Sequence, residues 1–269
     1  MLTALLQQQI IVTALKKMGA NLEYKVPHRM EDGYDIKLPS VDEAIVRQAK
    51  LLLSVDCGIL AFETAEYAKQ CGIDLIITDH HHPSEDGKIP DCIAVVNPNR
   101  DDPNYPGEHF KQDNFKRYPF DSLAGCGIAF KLMLGLAKYR NLDVMNYVDD
   151  LIEFAALGTV ADVAPMVDEN RVIVSYGCQK LGSSKKPGIK ELLKIARVKE
   201  VNTTSIGFQI GPRINAIGRL ADSGTALNLM LSDNEIEANF LANQLNNANA
   251  KRQYEQEKAT EFAINYVQN

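Results

Sequence analysis

Two five-residue runs, Leu51–Val55 (LLLSV) and Asp74–Thr78 (DLIIT), each end directly on an aspartate, Asp56 and Asp79. A helix-patterned stretch near residues 61–70 separates them. Short apolar runs that do not alternate with polar residues suit strands covered on both faces. Strand, helix, strand implies a right-handed crossover and a parallel sheet. Consecutive parallel strands are usually neighbours, so Asp56 and Asp79 should share the carboxyl edge of one sheet. Open α/β sheets bind ligands at that edge.

Two further runs, LEYKV from Leu22 and CIAVV from Cys92, also read as strands, and a helix is expected near 40–49. Residues 2–18 space Leu2, Leu5, Leu6, Ile10, Leu15 and Met18 at helical intervals, with Gly19 at the C-cap position. Residues 100–121 are polar and punctuated and read as a long surface loop. LAGCGIAFKLMLGLAKY opens a helix with a Gly-x-Gly entry. Phe130 stands where a dinucleotide fingerprint needs its third glycine, and no strand leads in, so Rossmann binding is not expected.

The second half reads as helical. The helix in VDDLIEFAALGTVADVAP is expected to break at Gly158 and leave Asp162 just beyond. Others follow near 169–181 and 188–197. Ser232–Glu235 reads as a capping box that starts a very long helix. Its apolar stripe (Ile236, Phe240, Leu241, Leu245) thins out after Leu245, so the helix should be continuous but poorly packed from there on. The fold class is therefore α/β: a parallel-sheet domain with helices on both faces, then a helical portion and a long C-terminal helix. Residues 1–232 form the domain and 233–269 a connector.

Composition narrows the function classes. The net charge of −6 gives no global attraction to nucleic acid. No apolar run approaches the ~20 residues of a membrane span. The N-terminus lacks a basic signal-peptide region, so no membrane partner is expected and the cytoplasm is the default. Five cysteines without a C-x-x-C pair argue for reduced thiols rather than structural zinc or disulfides.

Three of the five histidines, His80, His81 and His82, follow Asp79 directly. Asp56, Asp79, His80, His81 and Asp162 form a set of carboxylates and imidazoles without a thiolate. Such a set suits Mn²⁺ or Mg²⁺ better than structural Zn²⁺. Two such ions can support hydrolysis of a phosphodiester. His82 reads as a solvated loop residue.

VDCG, TDHH and GTVADV, in that order, resemble motifs of the DHH phosphoesterase superfamily. VVNPNR, LAGCGIAFKL and GFQIGPRINAIGR narrow the resemblance to the RecJ-type single-strand-specific exonucleases. The resemblance implies that Asp56 bridges two metals, with His80 and Asp162 as further ligands. It has Asp79 orient a histidine and His81 face the scissile phosphate. Arg213, Asn215 and Arg219, in a glycine-bounded loop, would bind substrate phosphate together with Arg29. The implied activity is metal-dependent 5′→3′ hydrolysis of 5′-phosphorylated single-stranded DNA in recombination and repair. A DHH phosphodiesterase for oligoribonucleotides or cyclic dinucleotides is the alternative within the superfamily. A catalytically inactive fragment that binds metal, nucleic acid or a partner protein is the alternative outside it. The family's Asp-rich D-x-D-x-D-G motif does not occur ahead of the first helix, and no DHH-associated domain follows the last. The expectation is a chain truncated at both ends, with one ion's protein ligands largely kept and the other's reduced to little beyond Asp56.

Overall fold

The computed structural model describes residues 2–26, 35–101, 118–220 and 224–268. Helix α1 (Leu2–Lys17) stops where Gly19 takes φ +82° and the amides of Gly19 and Ala20 donate to Lys16 O and Leu15 O. A left-handed residue of this kind costs glycine little. Helix α2 (Leu38–Val46) carries Pro39 in its first turn, where the missing N–H would have no helical partner. Strand β1 (Leu51–Val55), helix α3 (Phe62–Gln70), β2 (Asp74–Thr78) and β3 (Ala94–Val96) follow.

The three strands are parallel in the order β1-β2-β3, in a register that sets Val55 beside Thr78 and Thr78 beside Val96. Period-two alternation splits their side chains between two cores. Leu53, Val55 and Val96 pack on the larger one, built with α1 and the later helices. Leu75, Ile77 and Val95 pack on the smaller one, with Val41 and Ala44 of α2 and Ala65 and Ala68 of α3. Helices therefore cover both faces, as expected. Burying a side chain such as Ile77 is worth about 1.5–3 kcal/mol.

LEYKV is not a strand. Among the described residues it pairs with no ladder; Lys25 O instead accepts from the Gln8 side chain, and Tyr24 is exposed. Residues 102–117, most of the expected 100–121 loop, lie outside the described residues.

The helical layer contains α4 (Gly125–Tyr139), α5 (Val144–Ala161), α6 (Asp168–Gly182) and α7 (Pro187–Ile195). Asp143 caps α5, accepting from the Met145 amide at 3.0 Å. The expected break at Gly158 does not occur: α5 runs through it to Ala161. A Cβ at Gly158 would overlap Cys126 Sγ on α4, so this glycine permits close helix packing.

The GFQIGPRINAIGR segment is also helical rather than a loop. A short turn, α8 (Thr203–Ser205), widens into a π-helix (Ile206–Ile210) and continues as α9 (Gly211–Leu220). Helix α10 (Gly224–Leu231) precedes α11 (Glu235–Gln268). The α11 cap is Asn234, whose Oδ1 accepts from the amides of Ile236 (2.8 Å) and Glu237 (3.1 Å). Ser232 Oγ instead donates to the Glu237 carboxylate at 2.7 Å, so the expected box is shifted along the chain.

The buried stripe of α11 is Ala238, Ala242, Leu245 and Asn249; Ile236 and Phe240, expected in it, face solvent. From Lys251 to Val267 every residue is exposed except half-buried Arg252, in keeping with the expected loss of packing beyond Leu245. All five cysteines are free thiols, and no described helix is long and apolar enough to cross a membrane.

Candidate functional site

At the end of β1 the chain turns sharply. Asp56 adopts φ +64°, and its amide donates to Thr78 O at 3.0 Å. A left-handed non-glycine residue costs about 1–3 kcal/mol, and aspartate tolerates it better than most. The turn aims the Asp56 carboxylate across the sheet edge. One oxygen, Oδ2, accepts from Thr3 Oγ1 of α1 at 2.8 Å. The other, Oδ1, is buried, faces the His80 ring, and accepts no well-formed hydrogen bond among the described residues.

β2 ends one strand away. Asp79 is 1% exposed, and burial alone would raise its pKa. Donors from the His81 ring and from the Ile59 and His81 amides outweigh burial and hold the carboxyl below the usual range. Its Oδ1 accepts from the amides of His80 (2.7 Å) and His81 (3.1 Å) and lies 2.6 Å from His81 Nδ1; Oδ2 accepts from Ile59 N–H at 3.0 Å. Asp79 thus orients His81, fixing which ring nitrogen remains for a ligand. His81 has its pKa raised by the Asp79 contact, against partial burial, and its side chain is 60% exposed. His82 is exposed, as expected.

His80 stands between two carboxylates. Its Nε2 lies 3.2 Å from Asp56 Oδ1 and its Nδ1 lies 3.6 Å from Asp162 Oδ2. Burial opposes protonation of this ring, but Asp56 first and Asp162 next outweigh it and raise the pKa. Asp162, the C-cap of α5, has its pKa raised by burial, and the charge of Asp56 adds to that. The structure thus brings Asp56, His80 and Asp162 to one place, with Asp79 and His81 alongside.

Two asparagines absent from the expected site complete it. Asn99 Nδ2 donates to His80 O at 2.7 Å and Asn97 Nδ2 to His81 O at 2.8 Å; Asn97 Oδ1 accepts the Asn99 amide. The VVNPNR segment therefore clamps the backbone of the histidine pair. Its recurrence in the family resemblance was the available signal, though it carried no role.

The remaining expected residues are placed differently. Arg213 lies on α9, half-buried, with Nε on Asn246 Oδ1 (3.1 Å) and one terminal nitrogen on Gln209 O (2.6 Å). Burial lowers its pKa, and Arg197 adds to the effect. Asn215 is half-buried on the same helix. Arg29 and the Arg219 side chain lie outside the described residues.

Among the described residues, no three His, Cys, Asp or Glu side chains close into a ready-made metal cage. The donor set nonetheless fits a divalent ion. Asp56 Oδ1 is a buried carboxylate oxygen that accepts no well-formed hydrogen bond among the described residues and has only the His80 ring beside it, a state that a cation or water would relieve. Two ligands bound at about 2.1 Å and at right angles stand about 3 Å apart. The Nε2···Oδ1 separation of 3.2 Å matches such an edge.

The model for the DHH family, N-terminal domain, matches residues 3–159. The chain belongs to the DHH family. Among curated proteins it is similar to the single-stranded-DNA-specific exonuclease RecJ of Bacillus subtilis (35% identical over 261 residues; 96% of this chain, 30% of that protein). It is likewise similar to RecJ of Escherichia coli (39% identical over 254 residues; 90% and 41%). The chain thus spans 30–41% of these relatives. Among solved structures it resembles exonuclease RecJ bound to manganese, with TM-score 0.81 and 31% identity over 96% of this chain and 61% of that one. It also resembles RecJ from Thermus thermophilus in complex with Mn²⁺, with TM-score 0.77 and 29% identity over 96% and 35%.

Proposed function

We propose that this chain carries the DHH catalytic portion of a RecJ-like 5′→3′ exonuclease that hydrolyses single-stranded DNA. The observation that carries the reading is the His80 ring held between Asp56 and Asp162, with a buried Asp56 oxygen that accepts no hydrogen bond among the described residues. The names of the curated relatives support the substrate, and the manganese- and magnesium-bound structures of similar proteins support the ion.

Asp56, His80 and Asp162 would hold Mn²⁺ or Mg²⁺. Such an ion supplies charge neutralisation on a phosphodiester and a lowered pKa for water. The protein's own groups do the rest. Asp79 fixes the His81 ring through Nδ1, so the imidazole presents Nε2 to a phosphate oxygen or to the 3′-oxygen of the nucleotide that departs when the P–O3′ bond breaks. The raised pKa of His81 keeps more of it protonated and able to donate there. Asn97 and Asn99 hold the backbone under both rings, which limits the positional error of the pair. Arg213, with Arg29, Asn215 and Arg219, is proposed to bind substrate phosphates.

The test is a Mn²⁺ titration of the 269-residue chain, followed by degradation of 5′-phosphorylated single strands, for wild type, Asp56→Asn and His80→Ala. The substitutions should weaken Mn²⁺ binding by about 10–100-fold and abolish any hydrolysis. Wild-type Mn²⁺ affinity in both variants would sink the site. Preferential hydrolysis of oligoribonucleotides or cyclic dinucleotides would move the activity to another branch of the family.

A further inference from the structure

Gln7 is fully buried on α1, in a run of three glutamines within an otherwise apolar helix face. Its Nε2 donates to Thr78 Oγ1 at 3.2 Å, and Thr78 Oγ1 donates its own proton to Ser54 O at 2.6 Å. With that proton spent, Thr78 can only accept from Gln7, which fixes the amide orientation. Oε1 is therefore turned the other way, where it is buried and accepts no hydrogen bond among the described residues.

Gly125, the first residue of α4, shows what Oε1 faces. A Cβ there would overlap Gln7 Oε1 and come within 2.5 Å of Asp56 Oδ1. The two oxygens flank one small space that exists because residue 125 has no side chain. Thr3 holds the other oxygen of Asp56, so the carboxylate cannot turn Oδ1 away without losing that bond. A carboxylate oxygen and an amide oxygen, both buried and undonated, repel each other across this gap. Leaving each unsatisfied costs about 1–3 kcal/mol.

Resting on the metal reading of Asp56, we infer that Gln7 Oε1 is a further oxygen ligand for the divalent ion held there. Amide carbonyls are ordinary hard ligands for such ions. Asp56 Oδ1 lies 3.2 Å from His80 Nε2 and also borders the gap that Gln7 Oε1 faces, so one carboxylate oxygen is common to the histidine and to the amide. A water giving its two protons to the two oxygens would satisfy them equally well, and the experiment separates the two cases.

Mn²⁺ binding to the full chain is followed by the EPR signal of the free ion in wild type, Gln7→Met, Gln7→Glu and Asp56→Asn. Thermal stability of each is measured in EDTA. Methionine keeps the length of the side chain without the carbonyl; glutamate keeps an oxygen. We expect Gln7→Met to bind Mn²⁺ roughly ten-fold more weakly and Gln7→Glu to bind at least as tightly as wild type; the EDTA melts check that each variant folds and register the loss of the Gln7–Thr78 hydrogen bond in Gln7→Met. Binding lost in Asp56→Asn but unchanged in Gln7→Met would overturn this inference alone and leave a bridging water. Absence of Mn²⁺ binding in the wild type would overturn both this inference and the metal site it rests on.

Discussion

At the carboxyl edge of the sheet, Asp79 is 1% exposed and collects the amides of Ile59, His80 and His81 and the His81 ring. Along α11 from Lys251 to Val267 only Arg252 is even half-buried, and the polar contacts are between near neighbours on the helix, such as Arg252 with Asn249 and Gln256. Burying a carboxylate is costly unless its oxygens are met from several sides. The sheet edge therefore depends on a network in which each member fixes the next. The outer helix spends nothing on burial and gains no support from the core. A polar substitution should be severe in the first region and nearly silent in the second.

The severest break of that contrast short of the metal ligands is Asp79→Ala. It leaves three backbone N–H groups and one imidazole without their acceptor in a buried place. We expect a loss of about 3–5 kcal/mol in urea unfolding, with Asp79→Asn milder because it retains one acceptor oxygen. A loss under about 1 kcal/mol for Asp79→Ala would show that water replaces the carboxylate and that the network is looser than drawn.

Asn97→Ala and Asn99→Ala should each cost about 1 kcal/mol, near the net worth of one intramolecular hydrogen bond. They should not add. The Asn99 amide rests on Asn97 Oδ1, so the first substitution already loosens the second residue. Strict additivity in the double variant would mean that the two asparagines hold the histidine backbone independently.

This contrast also explains which features could be read from the sequence. β1, β2 and the acids that end them were legible because an apolar run and a following aspartate are local signals. The meeting of His80 with Asp56 followed from strand order; Asp162, at a helix end, was expected there through the family resemblance. The failures came where a neighbour decides. Leu22, Tyr24 and Val26 alternate like a strand, yet a strand needs a partner, and among the described residues this segment pairs with neither β1 nor β3 and is tied to α1 through Gln8 instead. Gly158 looked like a helix breaker, while Cys126 on α4 required that glycine inside the helix. The glycines of GPRINAIGR suggested a loop, but the segment continues a π-helix. The Asn97–Asn99 clamp and Gln7 were invisible for the same reason. Their partners lie 16 or more positions away, at carbonyls and a hydroxyl that no side-chain pattern displays.

The smallest expected effect lies in the outer half of α11. Nucleation of this helix is already provided by the packed segment around Ala238, Ala242 and Leu245, each 0% exposed, so the outer turns need only propagate. Propagation without tertiary contacts is close to balanced, and the helix should fray inward from its end. Hydrogen exchange should therefore show protection falling steadily from Leu245 outward, with amides beyond Lys251 opening at a cost of about 1 kcal/mol or less. The apolar groups there, such as the stacked pair Phe262 and Tyr266, are exposed and touch no core. Replacing Tyr254, Phe262 and Tyr266 with serine should change urea stability by no more than about 0.5 kcal/mol. Strong, uniform protection of residues 251–265 would remove the contrast between the two regions. If that protection also grew with protein concentration, the cover would be a second copy of the chain; if it did not, the outer helix would be packing on residues of its own molecule.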